Sequence, residues 1–309
     1  MDNVERGGRP PSGTQWTIEG DGQEAVVVEI GGGLRGYRAD GVDYLDGYEV
    51  DEICAGSAGQ VLAPWPNRIR DGRYTFAGES RQLPLTEPDR HNAMHGLVNW
   101  LPWRLVERST NSVTVACELP AQPGYPWSLD LRTSWRIDAR GLRARHEVTN
   151  TGTAPAPFGL AAHPYLRIPA APVDDLVLRV PGRTRLLVDG RGLPIGAAKV
   201  AGTEYDFTDP RRIGDLRLDM AFGDVDRDPD GGSSVTMTGG DHEITIWADE
   251  AFGWWQVFTG DTLPGARHRR SVAVEPMTCP ADAFRSGRDV IVLAPGEPWS
   301  ASWGIRTAT

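Results

Sequence analysis

The sequence predicts an all-β protein, a sandwich or barrel built from many short strands. Three observations carry this. Short runs rich in β-branched and aromatic residues recur at a spacing of roughly 8–12 residues, each closed by Gly, Pro, Asp or Asn. Several alternate polar and apolar residues with period two, as a half-buried strand does. No stretch longer than about ten residues keeps a helical period. The 37 Gly and 24 Pro among 309 residues supply the turns that such a fold needs.

In chain order, residues 1–15 are polar and rich in Gly and Pro, and are expected to form a flexible tail. The first strand run is Ala25–Ile30. Gly31-Gly32-Gly33-Leu34-Arg35-Gly36 follows and fits G-x-G-x-x-G. A dinucleotide fingerprint needs a helix directly after it, and Tyr37-Arg38-Ala39-Asp40-Gly41 turns instead, so this reads as a glycine-rich β-turn. Further strand runs are Arg73–Phe76, Val113–Leu119, Leu129–Ile137, Leu142–Val148, Leu176–Val180 and Arg185–Val188. Val235–Thr238, Glu243–Ala248, Gly253–Phe258, Ser271–Glu275 and Val290–Leu293 complete the set. Asp138-Ala139-Arg140-Gly141 and Gly239-Gly240-Asp241 read as hairpin turns between neighbouring strands. There is no repeat of fixed period and no linker, so residues 16–309 are expected to form one domain.

The 32 basic and 42 acidic residues give a net charge of −10, spread without long blocks. Phosphate binding needs a basic face, so nucleic acid is not the expected partner. No apolar run approaches the ~18 residues of a membrane span, so no membrane association is expected. Cys54, Cys117 and Cys279 are too few and too widely spaced for a disulfide framework or a zinc pattern. The first residues lack the apolar core of a secretory signal. These features predict a soluble cytoplasmic protein, monomer or homodimer.

One stretch stands out for chemistry. Phe158-Gly159-Leu160-Ala161-Ala162-His163-Pro164-Tyr165-Leu166 is apolar except for His163. Pro164 biases that histidine towards extended backbone. The run reads as a buried strand delivering a histidine to a pocket. Asn92-Ala93-Met94-His95-Gly96 and Ser271-Val272-Ala273-Val274-Glu275-Pro276 are its candidate partners. Strand alternation puts Val272 and Val274 on one face and Ser271, Ala273 and Glu275 on the other. Glu275 then reads either as an edge-strand glutamate in solvent or as a pocket residue at a strand end. Two histidines and one carboxylate make an acid/base set without a nucleophile, fit to move protons on a sugar. Leu62-Ala63-Pro64-Trp65-Pro66-Asn67-Arg68 reads as a stiff loop. Its guanidinium could clamp hydroxyls, and the Trp65 face could stack on a sugar ring.

Other motifs carry less. Asp226-x-Asp228-x-Asp230-Gly231 copies half a calcium loop, but Met237 stands where the bidentate Glu belongs, so it reads as a solvated acidic turn. His91 and His95 have i, i+4 spacing, yet the surrounding Gly and Asn argue against a metal-binding helix. Ala55-Gly56-Ser57-Ala58-Gly59 misses the nucleophile elbow at its first position. No metal site is expected.

Taken together, Pro66-Asn67-Arg68-Ile69, Asn92-Ala93-Met94-His95-Gly96, Ala162-His163-Pro164-Tyr165, Leu218-Asp219-Met220-Ala221-Phe222 and Val274-Glu275-Pro276 resemble the aldose 1-epimerase (galactose mutarotase) family in order and spacing. The resemblance covers roughly residues 20 to 305. It implies a large antiparallel β-sandwich, the galactose mutarotase-like supersandwich, with a sugar in an open cleft. By position it makes Glu275 the general base, His163 the general acid and His95 the second active-site histidine. Arg68 and Asp219 match hydroxyl-binding residues, and Asn67 and Trp65 flank Arg68 as further candidates for sugar contact. His95-Gly96-Leu97 and His163-Pro164-Tyr165-Leu166-Arg167 depart from the family's usual His-Gly-Gly and His-Pro-Tyr-Phe-Asn. The segment Leu97-Val98-Asn99-Trp100-Leu101-Pro102-Trp103 resembles a divergent bacterial branch, which includes proteins of unassigned substrate and the sulfoquinovose mutarotases.

The reaction that the resemblance implies, interconversion of α and β anomers of an aldohexose, needs no metal, cofactor or covalent intermediate. It needs a base to take the C1 hydroxyl proton and an acid to protonate the ring oxygen, which suggests the two flank the anomeric centre. Two rivals stay open. An epimerase for an anionic sugar, a hexose 6-phosphate or sulfoquinovose, would want extra cations from Arg68, Arg70, Arg167 and Arg267-His268-Arg269-Arg270. A non-catalytic carbohydrate-binding protein would need no acid/base pair. A glycoside hydrolase needs two carboxylates about the bond, and only Glu275 and Asp219 are offered.

Overall fold

Two large antiparallel sheets face each other, and the residues between them form one apolar core. The coordinates are a computed structural model and describe residues 8–308. Of the expected tail, residues 1–7 lie outside the described residues. Nearby, the Ser12 and Thr14 carbonyls accept from the N–H groups of Ile30 and Glu29, and Ser12 is buried.

The nine-stranded sheet runs, in spatial order, through Arg104–Arg108, Ser112–Leu119, Leu129–Asp138, Gly141–Asn150, Pro298–Ala308, His242–Ala248, Ser233–Gly239, Val177–Arg179 and Arg211–Arg212. The facing sheet runs through Pro194–Lys199, Gly182–Val188, Asp219–Val225, Trp254–Phe258, Val272–Met277, Ala161–Ala162 and Val61–Leu62, with Tyr165–Leu166 also on Val272–Met277. A four-stranded sheet, Gln15–Gly20 to Val42–Asp43, packs on the strands Ser112–Leu119 and Leu129–Asp138. The one α-helix among the described residues is Ala283–Ser286. The all-β sandwich is therefore the fold.

Period-two alternation decides what each face carries. On Trp254–Phe258 and Val272–Met277, Trp255, Val257, Val272 and Val274 point into the core with Trp135 and Trp303 of the opposite sheet. The Trp255 indole N–H donates to Ser233 Oγ across the layers at 3.0 Å. The other face of the same strands carries Gln256, Phe258, Ala273 and Glu275, and the site is built there.

Two expectations need correction. The run Phe158–Leu166 is buried, but it is three short strands, Ala156–Phe158, Ala161–Ala162 and Tyr165–Leu166. Glu275 does not end its strand, which continues through Pro276 to Met277 in the middle of the sheet. The two facts share a cause. Residues 274, 276 and 278 turn their backbone towards the broken run. Val274 N–H donates to the Pro164 carbonyl and Thr278 N–H to the Leu160 carbonyl. Between them Pro276 has no N–H to offer. There the opposing chain leaves the ladder, and His163 bonds through its own backbone to Gln60 and Gly59 instead. A proline is tolerated inside this central strand because its neighbour is interrupted at that point.

The glycine-rich stretch turns at Gly31 and Gly32, which have positive φ, and no helix follows. Tyr37–Ala39, expected to turn, instead continue the strand Leu34–Ala39, and the turn falls at Asp40-Gly41. The acidic stretch 226–232 closes a turn in which Gly231 N–H donates to the Asp228 carbonyl. His91 lies on the surface against Asp71, apart from His95.

Candidate active site

An open cleft of about 440 Å³ lies on the outer face of the eight-stranded sheet. His163 and Glu275 meet in it, with Nε2 to Oε1 at 3.3 Å. Both are buried, Glu275 to 2% of its surface. Glu275 stands opposite Gln256 on the neighbouring strand, and Gln256 Nε2 donates to Asp219 Oδ1 at 2.7 Å. Asp219 in turn opens the next strand. Three adjacent strands thus place Glu275, Gln256 and Asp219 side by side. The imidazole of His163 stacks on the Tyr165 ring at 5.0 Å, and the Tyr165 hydroxyl donates to the Gly56 carbonyl.

A small ribbon completes the floor. Arg68–Arg70 pairs with Asn92–Met94, and His95 N–H donates to the Asn67 carbonyl, so Arg68 and His95 emerge together. Asn67 and His95 both hold left-handed backbone, φ 52° and 62°. Gly96 follows at φ 80°, where a Cβ would stand 2.1 Å from the Ala63 carbonyl oxygen. Only glycine fits this close approach. His95 crosses His163 edge-on, with ring centroids 5.4 Å apart.

Burial governs the electrostatics. It pushes the His163 imidazole down to about 4. It also pushes His95 well below the usual histidine range, with His163 and Arg68 adding to the effect. Glu275 goes the other way: burial, then the Asp219 charge, raise it well above the usual carboxylate range, and Arg68 opposes. The Nδ1 atoms of His95 and His163 and Oε2 of Glu275 are buried without a protein partner. A pocket full of unanswered polar atoms suits a polar ligand, since leaving such groups unpaired costs about 1–3 kcal/mol each.

Of the residues expected at the site, Glu275, His163, His95, Arg68, Asp219 and Asn67 all line the cleft. Trp65 does not. It is 2% exposed and packs edge-on against Phe284 at 5.8 Å, so it cannot stack on a ligand. The tryptophan at the cleft is Trp100, 55% exposed. Sequence reading also missed Gln256 and Glu87, both in the lining. A polar Gln between the buried Trp255 and Val257 in Trp254–Phe258 was a usable signal for the first. The second needs the three-dimensional pairing. Among the anionic-sugar candidates only Arg68 lines the cleft. Arg70 pairs with Asp189 and Asp282, Arg267 with Glu52, Arg269 with Asp174 and Asp261, and Arg270 with Asp46.

The β-sandwich fold is shared with galactose mutarotase-like structures. The GalM/aldose epimerase homologue of C. elegans superposes with a TM-score of 0.85 at 18% identity, covering 96% of this chain and 99% of that one. The galactose 1-epimerase of Lactobacillus acidophilus gives 0.82 at 21%, covering 95% and 94%. In sequence, the uncharacterized protein YihR of Escherichia coli is 31% identical over 288 residues, 93% of this chain and 91% of that one. The maltose epimerase of Levilactobacillus brevis is 24% identical over 77% of this chain and 76% of its own. The aldose 1-epimerase family model matches residues 14–306, and the chain belongs to that family.

Proposed function

We propose that this protein is an aldose 1-epimerase that interconverts the anomers of a neutral aldohexose. The observation that carries the reading is the direct His163–Glu275 contact at the bottom of a polar cleft. The pair holds one shared proton in either of two arrangements, imidazolium with carboxylate or imidazole with carboxylic acid. The first is the working form. Glu275 takes the proton of the C1 hydroxyl while His163 gives its own to the ring oxygen, and the C1–ring oxygen bond opens. Both sugar oxygens are bonded to C1, so the two proton sites on the sugar lie close together, as do the two on the protein. The pair therefore need not bracket the ring from opposite sides. After rotation about C1–C2 the reverse transfers close the ring on the other face. His95, Arg68 and Asp219 hold the hydroxyls and the developing charge, with Asn67 beside them.

A neutral sugar suits the charge of the cleft. Arg68 and Arg90 line it against Glu87, Asp89, Asp219 and Glu275. The remaining arginines that an anionic substrate would recruit are outside the lining. Three buried free cysteines are compatible with the proposed cytoplasmic location, and no described helix is long and apolar enough to cross a membrane.

The test is anomer exchange by NMR on glucose, galactose, maltose, a hexose 6-phosphate and sulfoquinovose. Fast exchange of neutral sugars is expected, falling by about 10²–10⁴-fold in Glu275→Gln and in His163→Asn. Exchange of an anionic sugar alone would replace the substrate class. Binding without exchange would make the protein a carbohydrate-binding module.

A further inference from the structure

Arg68 is held by a residue that the sugar-binding set does not include. Glu87 accepts from Arg68 Nε at 2.9 Å and from Nη2 at 3.0 Å, a two-pronged contact on one edge of the guanidinium. Such forked pairs fix orientation as well as charge. Glu87 is itself pinned. Its backbone exchanges both hydrogen bonds with Asn92, and Pro88 holds it out of helical geometry, at φ −119° and ψ 74°. Asn92 Nδ2 donates to Glu87 Oε2 at 2.8 Å and to the Arg191 carbonyl at 3.1 Å. The turn around Arg191 closes over the back of the arginine. Gly192, at φ 74°, lies so near that a Cβ there would stand 2.8 Å from Arg68 Nη1 and 3.0 Å from Cζ. The guanidinium is thus walled by Gly192 and anchored by Glu87. Its Nη1 keeps one protein acceptor, Asn67 Oδ1, at 3.5 Å.

The anchoring matters because three carboxylates compete for this cation. Arg68 feels Glu87, Asp219 and Glu275 together. The groups around Glu275 are His163 in contact, Asp219, Arg68 and Tyr165. Those around Arg68 are Glu87, Asp219, Glu275 and His95, with Arg90 reaching Glu87 at 3.8 Å. A free guanidinium would settle on the buried carboxylate that lacks a partner on Oε2. That would occupy the base and weaken it.

We propose that Glu87 is a positioning residue: it fixes Arg68 by its Nε edge, leaves Nη1 as the donor for a sugar hydroxyl, and keeps the cation off Glu275. This rests on the proposed roles of Arg68 and Glu275 in sugar binding and proton transfer. Hydrogen bonds from Arg68 and Asn92 overcome burial and keep the Glu87 carboxyl below its ordinary range, so it is anionic wherever Glu275 titrates.

The experiment reads Glu275 directly, by carbon-13 carboxyl NMR titration of wild type, Glu87→Gln, Glu87→Asp and Gly192→Ala, alongside exchange kinetics. In Glu87→Gln the Glu275 midpoint is expected to fall by about one to three pH units as Arg68 moves onto it. KM should rise and kcat fall together. Glu87→Asp, which keeps the charge, should recover part of both. Gly192→Ala pushes on the same guanidinium from behind and should move the midpoint in the same direction. A Glu275 midpoint unchanged in Glu87→Gln and Gly192→Ala would overturn the inference. Because the titration needs no turnover, a wild type that exchanges no sugar would end the epimerase reading while the NMR still decided the role of Glu87.

Discussion

At the residue scale, burial shifts both members of the proposed acid/base pair, and the expected pH dependence follows from the direction of those shifts. A solvated pair would put the histidine near 6.5 and the glutamate near 4.3. Here the order is reversed, with His163 pushed down to about 4 and Glu275 raised above its ordinary range. The active pair carries one proton. A second proton must go on at low pH, and the single proton must come off at high pH. The acid limb of kcat/KM therefore belongs to the histidine and the alkaline limb to the glutamate, as macroscopic values of the pair. The acid limb is expected well below pH 6.5, and the alkaline limb above the ordinary carboxylate range. An acid limb centred at 6.5 would mean that His163 is solvated during turnover. The sequence carried the identity of these two residues and their motif order. It did not carry their protonation, because that depends on a neighbour, Asp219, and on burial that no local pattern records. Glu275 illustrates the gap: its spacing fitted solvent as well as a pocket, and pairing with Gln256 decided it.

At the element scale, strands were legible where alternation was clean, as in Leu129–Asp138 and Gly141–Asn150 with the short turn between them. They were illegible where small residues and prolines hide the pattern, as in Pro298–Ala308, and where the chain departs from the ladder at His163. The tryptophan error has the same origin. Trp65 and Trp100 both sit in stiff loops, and only packing tells them apart. Trp100 rides on a turn closed by Leu101 N–H to the Val98 carbonyl. Its neighbour Asn99 is locked to the buried Gln60, whose Nε2 donates to the Asn99 carbonyl at 2.7 Å. Gln60 also accepts from His163 N–H through its carbonyl. In the proposed function, an exposed indole on a turn tied to His163 serves as a pre-formed platform for the apolar face of a sugar. Aromatic stacking contributes about 0.5–1.5 kcal/mol beyond area. Trp100→Ala should therefore raise KM about two- to tenfold and leave kcat nearly unchanged, by steady-state exchange kinetics. A fall in kcat with KM constant would assign Trp100 to loop order instead.

At the scale of the whole molecule, the fold buries imidazoles and so becomes sensitive to mild acid. His146 is the clearest case because it lies in the core, among the strands rather than in the cleft. The Trp303 indole N–H donates to its Nε2 at 2.9 Å, so Nδ1 carries the proton and donates to Thr133 Oγ1, also at 2.9 Å. A second proton on Nε2 would face the indole N–H, and burial pushes this imidazole down to about 3. Below pH 6.5 the unfolded chain binds a proton that the fold refuses, so stability falls as pH falls. The loss begins near 6.5 and continues to about 3 for His146, at about 1.4 kcal/mol per pH unit. His163 and His95 add to it in the same direction. Glu275 opposes them, because the folded state holds its proton above the usual carboxylate range and gains as pH falls towards 4.5. The three buried histidines outweigh Glu275 and leave a net loss on acidification below pH 6.5. Urea unfolding at a series of pH values from 6.5 to 5 should show it, with the free energy falling throughout. In His146→Leu the protein should be less stable at pH 7, since Trp303 and Thr133 lose their partner, yet its pH slope should be shallower by about 1.4 kcal/mol per unit. An unchanged slope would show that His146 accepts a proton in the folded state and that the core yields to it.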